Sequence, residues 1–357
     1  MLSRQRYTSF LRTSAFSLLL LLSPSILSQE VPRLDLTVRD KLPVAAGLVR
    51  YLAGTPPVCD AAGNIYMQVV EPAPADNLAR PVTKISPDGQ HLTTFSLSSV
   101  PGVTPESSID SFTVTPRGEV FILAYLGDFP QFVTFDDDGQ FKSSSKLDLD
   151  IHSAHFAVFP TGEFLVRGIK VSKSPEGNSN AAFAGLFDRN GKFLKEVETP
   201  DEIPFKDRAE FINAAEFKKQ YRAANEAMWR SQAFSADDGN IYLVRPTKPL
   251  SVDIISPAGE ILRRLKLNPP DPSFQAGSVK AAGGKIVVEF IQKTPGDPQN
   301  RISDFIYSLF DAEKGEKLYD YHWPSEPGGF FACYEPNYFT FLNVGDNGLS
   351  LIHAVAR

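Results

Sequence analysis

Ser235-Ala236-Asp237-Asp238-Gly239-Asn240-Ile241-Tyr242, followed by Ile255-Ser256-Pro257-Ala258-Gly259, is the stretch that decides the fold. Each half is a glycine-bearing turn between two apolar strands. Glycine reaches positive φ at no steric cost, as tight hairpin turns require, and a preceding Asp, Asn or Pro sets up the turn. Alternating apolar residues flank the second turn, Ile254-Ile255 before it and Ile261-Leu262 after it. That is the period of a half-buried strand.

Working outward, the same pair of turns recurs along the chain. The first turn returns as Cys59-Asp60-Ala61-Ala62-Gly63, Val114-Thr115-Pro116-Arg117-Gly118, Val158-Phe159-Pro160-Thr161-Gly162 and Lys280-Ala281-Ala282-Gly283-Gly284, with a degenerate copy at Cys333-Tyr334-Glu335-Pro336-Asn337. The second returns as Ile85-Ser86-Pro87-Asp88-Gly89, Phe135-Asp136-Asp137-Asp138-Gly139, Phe187-Asp188-Arg189-Asn190-Gly191 and Phe310-Asp311-Ala312-Glu313-Lys314-Gly315. Its glycines, at 89, 139, 191, 259 and 315, are 50, 52, 68 and 56 positions apart. A repeated four-strand unit of about this length is the mark of propeller blades. The pattern predicts an all-β chain: a six-bladed β-propeller of four-stranded antiparallel blades, forming one domain over residues 29–357. The turn-and-strand wording resembles NHL-type six-bladed propeller repeats of exported bacterial proteins, over residues 31–357. The resemblance implies a fold and no particular activity, because propellers host many functions.

The sixth unit offers three strands, Phe330 to Tyr334, Tyr338 to Val344 and Leu349 to Ala356. The alternating stretch Val31 to Arg39 has no unit of its own, so it is expected to supply the missing outer strand of the last blade and close the ring without a raw edge.

Residues 1–28 read as an export signal: a basic stretch with Arg4, Arg6 and Arg12, an apolar run from Ala15 to Leu22, a break at Ser23-Pro24-Ser25, and a cleavage tripeptide ending at Ser28. The run is shorter than the roughly 20 residues of a transmembrane span, and no other segment approaches one. Cleavage would remove three arginines and no acid, taking the formal charge from −6 to −9. With no basic stripe, nucleic acid is a poor partner. A periplasmic or secreted monomer is expected.

That compartment permits a disulfide between Cys59 and Cys333, the two cysteines of the chain. In a closed ring they would fall on neighbouring inner strands. Inner strands of different blades are not hydrogen-bonded partners and are expected to stand wider than paired strands. Two neighbouring buried thiols are therefore the favoured expectation over a bond.

One face of such a disc carries only tight glycine turns. The other carries the long connections: Glu71 to Pro81, Val171 to Ala182, Gln292 to Ser303, and an insertion over 200–231 between the third and fourth blades. There Phe211, Ala214, Phe217, Tyr221, Ala224 and Met228 fall at steps of three and four, an amphipathic helix. Loops held on a rigid scaffold are where binding concentrates, and strand ends on that face nominate a rim around the channel mouth. Tyr125, Arg167, Gln232, Arg245 and Glu289 are the candidate ligand-binding residues, the two arginines suited to a carboxylate or phosphate. His155 and Asp110 are the acid–base candidates. The leading expectation is a binding or scaffold protein for a protein, peptide or glycan. The alternative is a hydrolase or lyase, lactonase-like, at the channel mouth.

Catalytic and phosphate-binding motifs are missing from the sequence. His152 and His155 are three apart, which puts them on opposite faces of a strand. Asp136-Asp137-Asp138 lacks the alternating carboxylates and distal Glu of a calcium loop. Neither a metal nor a cofactor is expected.

Overall fold

The glycine turns order the chain into strands. The computed structural model describes residues 31–44, 51–52, 56–70, 81–127, 129–174, 177–198, 228, 230–299, 301–323, 329–336, 338–345 and 348–357. The expected signal segment and nearly all of the 200–231 insertion lie outside these residues. Strand β1 (Arg33–Pro43) is followed by β2 (Tyr51–Leu52), β3 (Val58–Cys59), β4 (Ile65–Val70), β5 (Val82–Ile85) and β6 (Leu92–Phe95). Three regular groups come next: β7–β10 (Ser108–Val114, Val120–Leu126, Phe129–Phe135, Phe141–Lys146), β11–β14 (Ile151–Val158, Phe164–Ser174, Gly177–Phe187, Phe193–Glu196) and β15–β18 (Gln232–Ser235, Ile241–Arg245, Leu250–Ile255, Ile261–Leu267). The last are β19–β22 (Gln275–Ala282, Lys285–Lys293, Ile302–Asp311, Lys317–His322) and β23–β25 (Phe330–Glu335, Tyr338–Gly345, Gly348–Ala356).

Within each of the three regular groups, strands consecutive in sequence pair antiparallel, giving four-stranded sheets; in the first sheet β2 and β3 both pair with β4. Successive side chains of a strand point to opposite faces, and each sheet uses both. Tyr242 and Val244 pack with Ile286, Val288 and Phe290 of the following sheet, whereas Ile241 and Leu243 pack with Ala157, Leu165 and Leu186 of the preceding one. The same alternation runs round the molecule. It ends where Ile65 and Met67 of the first sheet meet Leu342, Leu349 and Leu351 of the last. Sheets stacked face to face in a closed circuit make a β-propeller, and residues 31–357 form one compact unit.

β1 is the strand that completes the last group. It pairs antiparallel with β25, from Leu36↔Ala356 to Pro43↔Ser350, with a bulge between Val38 and Asp40. It runs four residues beyond the expected Arg39. Its first residues also pair parallel with β22, Arg33↔Asp320 to Asp35↔His322, so two groups merge into one eight-stranded sheet. His353, buried on β25, shares a hydrogen bond with Asp40.

Two expectations are corrected. Val171 to Ala182, read as a loop, continues the hairpin of β12 and β13, paired as far as Ser174↔Gly177. The alternation of Val171-Ser172-Lys173 sustains a strand. Cys59 and Cys333 form a disulfide instead of standing as thiols, their Cα atoms 5.8 Å apart, inside the range the bond needs. The wider spacing expected of unpaired strands fails here because the inner strands converge on the axis, and near it their ends come as close as hydrogen-bonded neighbours.

Candidate functional site

The first strand of every group, β3, β7, β11, β15, β19 and β23, contributes to the wall of one cavity of about 150 Å³. Phe112, Phe156, Phe234 and Val279 make its apolar surface, and Asp60, His155, Gln232, Asp237 and Lys280 its polar one. It includes Ala61, Pro116 and Asp237 from the tight-turn side, so it lies on the axis rather than only at the loop-side rim where the sequence directs attention.

Strands facing an axis have backbone groups with no ladder partner, and such groups need one when buried. Side chains supply it. Ser235 Oγ donates to Val158 O at 2.6 Å and accepts from Val158 N–H at 3.2 Å. Gln232 Nε2 donates to Gly277 O at 3.0 Å while its Oε1 accepts from Val279 N–H at 3.1 Å. Gln232 thus clips two neighbouring sheets together at the cavity wall. Asp60 is enclosed by its own turn, accepting from Ala62 N–H, Asn64 N–H, Asn64 Nδ2 and Tyr66 OH at 2.8–2.9 Å. Asp237 accepts from Gly283 N–H at 2.8 Å.

The expected rim residues separate into four kinds of place. His155 and Gln232 line the cavity. Asp110 and Tyr125 belong together: Asp110 is the bulged residue of β7, and Tyr125 OH donates to Ile151 O. Burial raises the Tyr125 phenol above its ordinary range, and the charges of Asp110 and Asp150 push it the same way. Arg167 and Arg245 are buried within their own sheets. Arg167 Nη1 donates to Phe183 O at 2.9 Å. Arg245 grips Asp253 through Nε at 2.9 Å and Nη2 at 3.2 Å, and Arg264 Nε reaches the same carboxylate at 2.7 Å. Of the acid–base candidates, His155 lies on the cavity wall and Asp110 on the neighbouring strand, near Tyr125.

Glu289 sits behind the cavity against the bulge of β19 that spans Gly277 and Ser278. Its Oε2 accepts from Ser278 N–H at 3.1 Å, and Tyr307 OH donates to Oε1 at 3.4 Å. A Cβ at position 277 would stand 2.7 Å from Oε2, so the carboxylate approaches this closely because residue 277 is glycine. Burial pushes the Glu289 carboxyl above its ordinary value, opposed in turn by the Ser278 amide, the Lys280 ammonium and Tyr307. Burial also lowers the Lys280 ammonium to about 8, with Glu289 opposing.

Lys280 is the residue sequence reasoning missed. The signal was present in the aligned turns. Cys59, Val114, Val158, Ser235, Lys280 and Cys333 open the successive copies, and lysine is the one charged member of the set.

Among the described residues, no helix is long and apolar enough to cross a membrane. No protein-family model and no curated protein matches the chain. Solved structures resemble it at low identity. The Pan2 WD40 domain of Neurospora crassa is 11% identical with a TM-score of 0.40, covering 90% of this chain and 95% of that one. A protein of unknown function from Bacteroides caccae has the same identity and TM-score, covering 76% and 86%. Prolyl oligopeptidase B from Galerina marginata, 11% identical at a TM-score of 0.45, is covered over 42% of its length by 84% of this chain. At these scores the likenesses add nothing to the strand pairing.

Proposed function

We propose that the chain is an exported six-bladed propeller of NHL-like repeats. Its role is to bind a protein, peptide or glycan on the face opposite its tight turns. The observation that carries this reading is the asymmetry of the connections. On one side Gly63, Gly118, Gly162 and Gly239 make minimal turns, all at positive φ. On the other, β14 ends at Glu196 and β15 begins at Gln232, while β20 and β21 are joined through 294–301. Met228, at the end of the long connection, is fully buried with Ile169 of β12 beside it, so the end of that connection is anchored to the third sheet. The Cys59–Cys333 bond supports export, since disulfides persist in oxidising compartments.

Arrays of peptides and glycans, probed with residues 29–357, test the binding role. Binding is expected, and replacing 294–301 by a Gly-Ser linker should weaken it at least about tenfold, some 1.4 kcal/mol. The rival hydrolase or lyase reading draws on His155 at the cavity wall. If no array spot binds, but lactones or esters are turned over and His155→Ala abolishes that turnover, the enzyme reading replaces the binding one.

A further inference from the structure

Three loop-side connections converge between the fourth and fifth sheets. Arg230 lies at the end of the insertion, 246–249 joins β16 to β17, and 268–274 joins β18 to β19. Among them lies a cavity of about 400 Å³, larger than the axial one and within the roughly 300–1,000 Å³ of ligand sites. Pro246, Pro249, Pro269 and Pro272 line it. Proline fixes φ, so a ligand meets a wall that is already ordered, which lowers the entropic cost of binding. Leu250 and Phe274, both buried, add apolar lining.

The charge of this cavity is opposite to that of the chain. The chain carries 42 acidic and 36 basic residues, yet among the described residues the lining has two cations, Arg230 and Lys248, and no carboxylate. Both cations are exposed. Arg230 uses one of its five donors, Nη2, on Ala276 O at 3.4 Å. Lys248 has neither a hydrogen-bond nor an ion-pair partner among the described residues. Asp271, the acid of the 268–274 connection, is engaged within its own turn, where Ser273 N–H and Oγ donate to its Oδ1 at 2.9 and 2.6 Å. The lining also holds two primary amides, Asn268 and Gln275, whose side chains bond no described residue. A primary amide offers both an acceptor and donors, the complement of a peptide group in an extended chain.

We propose that this groove is the docking site for an extended acidic peptide. One apolar side chain of the peptide enters between the prolines toward Leu250 and Phe274. Flanking carboxylates meet Arg230 and Lys248, and Asn268 and Gln275 bond its backbone. Exposed ion pairs contribute little each, so the apolar side chain carries most of the affinity and the two cations select the sign of the partner. This site rests on the reading of the loop face as a binding face, and gives that face a location and a ligand class. It does not include 294–301.

Fluorescence anisotropy of a labelled Gly-Glu-Glu-Leu-Glu-Glu-Gly peptide, titrated with the full chain, tests the site. A saturable rise is expected. Peptides with Gln for every Glu, or with Ser for Leu, should each bind at least about threefold more weakly, and so should the acidic peptide to the variant Arg230→Gln with Lys248→Gln. Arg230→Lys with Lys248→Arg keeps both charges and should bind within about twofold of wild type, which separates loss of charge from loss of fold. The absence of a saturable rise, equal binding of the Gln peptide, or undiminished binding by the neutral variant overturns the proposal. So does a dimer in analytical ultracentrifugation that the neutral variant dissociates, because a second copy of the chain is then the occupant. Array ligands whose binding survives Arg230→Gln with Lys248→Gln sit elsewhere on the loop face, so in that case this site fails while the binding role stands.

Discussion

At the scale of single residues, the buried charges separate structural from chemical roles. Asp253 is fully buried and is held by Arg245, itself buried, and by the partly exposed Arg264. Removing one member of a buried pair leaves the other without its countercharge. Asp253→Ala is therefore expected to lower stability by about 3–5 kcal/mol in urea unfolding, whereas the double change Arg245→Met with Asp253→Leu should cost far less. Equal losses for the single and double variants would show that the sheet does not depend on pairing here. This pair was not legible in the sequence. Arg245 sits just past the position that reads as a strand end, where solvent is the ordinary neighbour. Asp253, which interrupts the apolar run of β17, was the available hint, since a carboxylate in a fully buried strand requires a cation.

At the scale of elements, β1 seals the circuit by pairing with β25 and touching β22. Without it the outer edge of β25 would expose a row of backbone donors and acceptors, the template on which chains aggregate. Deleting 29–43 should yield a protein that forms multimers in size-exclusion chromatography and melts earlier. A monomer with an unchanged melting temperature would count against closure by this strand. This element was legible because an alternating strand without a unit and a unit short of one strand call for each other. The β12–β13 extension was less so: Pro, Gly, Asn and Ser dominate 174–180, and composition alone does not distinguish a polar hairpin tip from a loop. The turn glycines were the most legible elements. Gly139 adopts a φ of 82°, and a Cβ there would run into the Thr94 carbonyl of the preceding sheet, so its identity is set twice, by the backbone and by its neighbour.

At the scale of the whole molecule, β1 ties the last two groups together on the outside, and Cys59–Cys333 joins the first and last sheets near the axis. The bond spans 274 residues. In the chain-entropy treatment a loop of that size contributes roughly 5 kcal/mol by restricting the unfolded chain, with measured values commonly lower. Cys59→Ser with Cys333→Ser is expected to lower the unfolding midpoint in guanidinium chloride and to leave the strand content measured by circular dichroism unchanged. An unaltered midpoint would mean that β1 alone sets the strength of the seam. The bond has a further consequence for the backbone. Between Cys59 and Cys333 the chain is a covalent ring with two short tails. A single protease cut anywhere in that ring, including the long connection between β14 and β15, leaves two chains still joined by the disulfide and releases nothing. Two cuts within the ring are needed to free a fragment of it, so a single nick there costs the molecule none of its sheets.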